Sequence, residues 1–190
     1  VKAAAKRVTL LAILASLCVV IQLTPRPPNV ELTSLIVFFA GALFGALLGG
    51  ALGTTVMLIN GYCSSWGYAG LMMPFQITGM VIIGVAGGVY GRAKKGAYTP
   101  SVTGETAVLG AFLTLVYDVI TNFGVAVSYM LLGIPVMPAL VTAIVSGAIF
   151  SVIHVVSNLL VFSLAFYPLT KVLQAFLGSE KAWTSNISYT

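Results

Sequence analysis

The stretch Glu31–Asn60 reads ELTSLIVFFAGALFGALLGGALGTTVMLIN, and beyond Glu31 it carries no charge. How many times this stretch crosses an apolar layer decides the fold. A helix spanning hydrocarbon takes roughly 20 residues. At 30 residues the stretch is long for one span and short for two. Gly41, Gly45, Gly49 and Gly53 recur at every fourth position. On one continuous helix they form a small-xxx-small seam that lets a neighbour approach closely. Around a break between Gly41 and Ala46 they form a turn instead.

Charges elsewhere in the chain choose between these readings. The protein has 190 residues, of which 59% are hydrophobic and only 7% charged, with a mean hydropathy of +1.06. A soluble domain carries about 25% charged residues, so the composition excludes a water-facing globule and points to an integral membrane protein. The net charge of +5 sits in clusters at the ends of apolar runs: Lys2, Lys6 and Arg7, then Arg92, Lys94 and Lys95, then Lys171 and Lys181. Such clusters mark the cytoplasmic side of a bilayer, whereas a nucleic-acid partner would want them on one folded face. With the N-terminus inside, the central cluster is also inside only if an even number of spans precedes it. Two helices in the opening stretch satisfy this condition.

The expected fold is an all-α membrane protein, a single integral membrane domain over residues 1–190. Its six transmembrane helices span approximately residues 8–23, 31–43, 46–60, 74–91, 105–132 and 139–167. Both termini lie inside, and helices 2 and 3 are short and joined by a glycine-rich turn. Pro25, Pro27 and Pro28 stop helix 1, and Pro74 suits the start of helix 4. The basic start and apolar run of helix 1 resemble a signal peptide, but no A-x-A-like site follows, so it is expected to be the first span.

Ionisable residues inside such spans are informative, because an aspartate at a helix centre costs ~2.5–3.5 kcal/mol on insertion scales. Asp118 lies deep in helix 5, with Thr114 and Asn122 one turn to either side on the same face. In helix 6, Gly147, Ser151, His154 and Asn158 form a second polar stripe. The two helices are antiparallel neighbours, so Asp118 and His154 are expected at similar depth. They either hold the bundle together through an Asp–His or Asn–Asn contact, line a binding site, or relay protons. Asn29, Glu31, Trp66, Tyr68 and Gln76 gather near the outer ends of helices 2 to 4. Trp and Tyr there also suit an interfacial belt, and Glu31 also suits a helix N-terminus. Taken together with the two stripes, they would close a pocket open to the outside. Helix 1 carries a face of small residues, Ala5, Thr9, Ala12 and Ser16, suited to close contact with another helix.

The sequence contains no phosphate-binding loop, zincin motif, nucleophile elbow or cysteine cluster. No catalytic residue, catalytic cofactor or metal site is therefore expected. Two other readings remain: an intramembrane enzyme using Asp118 and His154 as an acid–base pair, and a self-standing channel or carrier.

In order along nearly the whole chain, several segments resemble the substrate-binding S components of energy-coupling factor (ECF) transporters. Pro28-Asn29-Val30-Glu31 resembles that family's turn after helix 1. Phe44-Gly45-Ala46-Leu47-Leu48-Gly49-Gly50-Ala51-Leu52 resembles its glycine-rich join. Trp66 with Met73-Pro74-Phe75-Gln76 is similar to its tryptophan loop and the segment before helix 4. Tyr117-Asp118 with Asn122, and His154 with Asn158, are similar to its helix 5 and helix 6 pairs. The chain departs from the family at Leu43-Phe44-Gly45, where Gly-Pro is common, and at Phe150-Ser151, where an aspartate often precedes the histidine.

The resemblance implies a multi-pass protein of a prokaryotic plasma membrane. It would capture a vitamin or related micronutrient from outside, and the branch it most resembles includes the cobalamin S component. Asn29, Glu31, Trp66, Gln76, Asp118, Asn122, His154 and Asn158 would bind the ligand. Ala5, Thr9, Ala12 and Ser16 would dock on a transmembrane coupling subunit driven by two ATPase subunits.

Overall fold

The structure is a computed structural model that describes residues 2–25, 27–64, 67–95 and 97–178. Arg26, Trp66 and Lys181 lie outside the described residues. Within them the chain forms six α-helices: α1 (Lys2–Leu23), α2 (Thr33–Phe44), α3 (Ala46–Cys63), α4 (Met73–Lys94), α5 (Val102–Leu131) and α6 (Val136–Gly178). One 3-10 turn, Gly70–Met72, leads into α4. Four helices, α3 to α6, are long and apolar enough to cross a membrane, while α2 and the apolar part of α1 (Val8–Leu23) are shorter. Side chains such as Val145, Ile149, Val152 and Leu164 on α6 face outward. An apolar exterior of this kind suits lipid rather than water.

The ambiguous stretch is broken at one residue. Gly45 has φ 95° and ψ 160°, a backbone conformation open to glycine and strained for other residues. It ends α2 and starts α3. The remaining glycines of the series form the packing seam, so the two readings coexist. A Cβ on Gly41 or Gly49 would run into the backbone of Gly84, and one on Gly53 would run into the carbonyl of Met80. From the other side, Cβ atoms on Gly84, Gly87, Gly88 and Gly91 of α4 would strike the backbone of α2, α3 or their join. The hairpin of α2 and α3 thus lies backbone to backbone on α4. A close approach of this kind gains van der Waals contact where no hydrophobic effect drives helices together.

Several helix ends differ from expectation. α1 begins at Lys2 rather than residue 8, because an alanine-rich turn is helical whether or not it is apolar enough to be in hydrocarbon. α5 begins at Val102, which puts Glu105 in its first turn. There it accepts a hydrogen bond from the Tyr90 hydroxyl (3.0 Å) and pairs with Lys94. α6 does not stop at Tyr167 but carries Pro168 internally and runs to Gly178. A proline removes one backbone donor, and here the flanking turns continue past that gap.

The core occupies the half of the bundle nearer the basic α4–α5 loop. Phe38 is fully buried and meets Tyr90, Phe162 and Phe166 at ring-centroid distances of 5.4–5.7 Å. Phe39 and Tyr98 also stack edge-on against Phe166. The Tyr98 hydroxyl closes this end by donating to the Ala42 carbonyl (3.0 Å). With aromatic packing filling one half, the other half of the bundle is free to hold polar groups.

Candidate functional site

Local features place each polar side chain. The chain leaves α1 through the proline turn, where Asn29 adopts a left-handed conformation (φ 60°). Asparagine tolerates this region better than most residues. Its Nδ2 donates to the carbonyl of Phe150 in the middle of α6 (2.9 Å), tying the turn across the bundle. Two residues on, Glu31 sits at the N-terminus of α2 and accepts the Ser34 amide with both carboxylate oxygens (2.9 and 3.2 Å). A carboxylate here meets the positive end of the helix dipole.

α5 and α6 deliver the opposing groups. The expected match in depth holds: Asp118 Oδ1 accepts from His154 Nδ1 at 2.8 Å. The other ring nitrogen, Nε2, faces Glu31 Oε1 at 3.5 Å. Asn158, one turn further along α6, donates to the same Glu31 oxygen (3.3 Å). His154 thus stands between two buried carboxylates, with Glu31 7% and Asp118 5% exposed. Tyr117 packs edge-on against the imidazole. Buried ionic groups of this kind add little net stability, because desolvation offsets their attraction. Such groups in a membrane span are a functional-site hypothesis by default.

Glu31, Asp118, His154 and Tyr117 line a cavity of about 720 Å³. Its walls come from Gln22 at the end of α1, Met57 and Asn60 of α3, Gln76 and Met80 of α4, and Phe150 of α6, while Pro28, Gly67 and Tyr68 form an exposed rim. The volume is within the range for small-molecule pockets, roughly 300–1,000 Å³. The cavity lies at the end of the bundle away from the Lys94–Glu105 pair.

Of the residues singled out in the sequence, Asn29, Glu31, Tyr68, Gln76, Asp118 and His154 line this one cavity. Asn158 lies behind the wall and holds Glu31. Asn122 turns away toward α6, where its Nδ2 meets Ser151 Oγ at 3.4 Å. Its amide oxygen occupies the space that a side chain on Gly147 would fill. Asn122 therefore joins α5 to α6 rather than facing the cavity. Trp66, also expected here, lies outside the described residues. Sequence reasoning did not foresee Gln22, Met57, Asn60, Met80 and Thr121. Gln22 and Asn60 sit at the ends of apolar runs and the methionines within them, and no local pattern marks any of them as facing a cavity.

The expected docking face is exposed. Ala5, Thr9, Ala12 and Ser16 face outward, and the hydroxyls of Thr9 and Ser16 donate to the carbonyls of Ala5 and Ala12 on their own helix. Compared with known proteins, the chain matches no family model, no curated protein and no solved structure.

Proposed function

We propose that this chain is a membrane-embedded substrate-binding subunit, the S component of an ECF-type transporter. In this reading it crosses a prokaryotic plasma membrane six times with both termini inside. It captures a small micronutrient of the vitamin class from outside and is not itself an enzyme. One observation carries the reading: Asn29 and Glu31 from the turn before α2, Gln76 from α4, Asp118 from α5 and His154 from α6 line a single cavity of about 720 Å³, which thus holds two buried carboxylates and a histidine. The position of the cavity supports it as well, since the basic loop, expected on the inner face, is at the opposite end. The exposed small face of α1 suits docking on a transmembrane coupling subunit, which two ATPase subunits would drive.

The Asp118–His154 contact also suits an acid–base enzyme, but the geometry favours it less. Nδ1 of His154 is bonded to Asp118 and Nε2 stands 3.5 Å from Glu31 Oε1, so a substrate would have to come between the ring and a buried carboxylate to exchange a proton with it.

The test is mass spectrometry of small molecules retained by the full chain purified in mild detergent. A stoichiometric bound metabolite is the expected result. A protein that carries none, and takes none from a metabolite extract, refutes the reading.

A further inference from the structure

The hydrogen-bond inventory of the cavity indicates what kind of molecule fits it. Glu31 is engaged on both oxygens: they accept the Ser34 amide, and Oε1 also accepts from the Asn158 amide, while His154 Nε2 lies 3.5 Å from Oε1 and makes no hydrogen bond among the described residues. Asp118 is only half engaged. Its Oδ1 takes the His154 bond, while Oδ2 is buried with no hydrogen-bond partner among the described residues. Gln76 Oε1, on another wall of the same cavity, is likewise buried and unpartnered. An ionised carboxylate can only accept hydrogen bonds, and leaving a buried charged acceptor unsatisfied is costly.

The charge balance points the same way. Among the described lining residues there are two carboxylates and one histidine, but no lysine or arginine. The one basic group among them, His154, already stands between two carboxylates, so an anionic ligand would meet net negative charge there. A cationic ligand would supply the donor that the buried Asp118 Oδ2 lacks, and the aromatic residues Tyr117 and Phe150 in the lining, with Tyr68 at the rim, suit a cation. The volume is far larger than a bare ion needs, and among the described residues no three His, Cys, Asp or Glu side chains are placed so that they could hold a metal ion.

We propose that the cavity binds a small organic nitrogen cation, an ammonium or amidinium compound whose N–H donates to Asp118 Oδ2. This rests on the reading of the cavity as a ligand site and specifies the chemistry of its ligand. The remainder of such a molecule lies along the apolar wall made by Met57, Met80 and the aromatic rings.

Two matched probe pairs test the proposal on the purified full chain in detergent, with thermal stabilisation and calorimetric affinity as readouts. They are benzamidine against benzoate, and tryptamine against indole-3-propionate. At least one cation is expected to bind, and more than tenfold tighter than its carboxylate counterpart, with Asp118→Asn removing most of that preference. The proposal is overturned if neither cation binds, or if a carboxylate binds as well as its partner. Because the wild-type comparison is decisive by itself, a poorly folded Asp118 variant does not spoil the test. Mass spectrometry of the retained metabolite separates this proposal from the broader one. An anionic bound metabolite overturns the cation assignment and leaves the binding-subunit reading intact, whereas a cationic one supports both.

Discussion

Replacing Gly84 by alanine tests the backbone-to-backbone contact of α3 and α4. A Cβ at this position meets the carbonyl carbon and oxygen of Gly49 and the amide nitrogen of Gly50, all backbone atoms of α3. No flexible side chain is there to move aside, so α3 and α4 must separate. Overpacking of this sort costs about 1–3 kcal/mol, and rigid backbone on the facing side argues for the upper end. Alanine returns about 1 kcal/mol through its better helix propensity. The net loss is therefore ~2 kcal/mol, which for a chain of this length lowers the melting temperature by roughly 4–8 °C. Gly104→Ala is the matched control, since a Cβ there has no atom within 4 Å. It retains only the propensity gain and should leave stability unchanged or raise it by up to about 1 kcal/mol. Thermal unfolding in mild detergent, followed by helical circular dichroism, reads both variants. If Gly84→Ala unfolds at or above the wild-type temperature, the backbone-to-backbone contact of α3 and α4 is refuted.

Two further outcomes are expected. His154→Ala leaves Glu31 and Asp118 buried without the group between them and should cost about 3 kcal/mol in the same unfolding assay. Adding Glu31→Gln to that variant should recover part of the loss, and an unchanged single variant would contradict the triad. Asn29→Gly keeps the left-handed turn but loses the bond to Phe150, at about 1 kcal/mol. Asn29→Ala adds backbone strain of another ~1–2 kcal/mol, so the order of stability should be Asn, then Gly, then Ala; alanine equal to or above glycine would show that the turn is not held as described.

Some of the site was legible in the primary structure because helical spacing is local. Asp118 and His154 stood out as ionisable residues inside apolar runs, and counting residues from the turn between α5 and α6 placed them at one depth. Glu31 was expected near the pocket and near the start of a helix, but nothing local set it beside His154. Its approach to His154 depends on Asn29 tying the proline turn to α6, a contact between residues 121 positions apart. The direction of Asn122 was also hidden, because it depends on the space left by Gly147 on the facing helix.

By itself the sequence determined the apolar character of the chain, the number of helices and the segment, Gly41 to Ala46, within which the break falls, since hydropathy, charge placement and periodicity are legible along the chain. The tertiary structure decided how the glycines divide their work, with Gly45 breaking the helix and Gly41, Gly49 and Gly53 meeting α4. It also decided which oxygen of the buried carboxylates is left open. The physical reason is the same in both cases. A hydrogen bond or a backbone contact between helices depends on atoms brought together by packing, and no local pattern records which side chain a neighbouring helix has already satisfied.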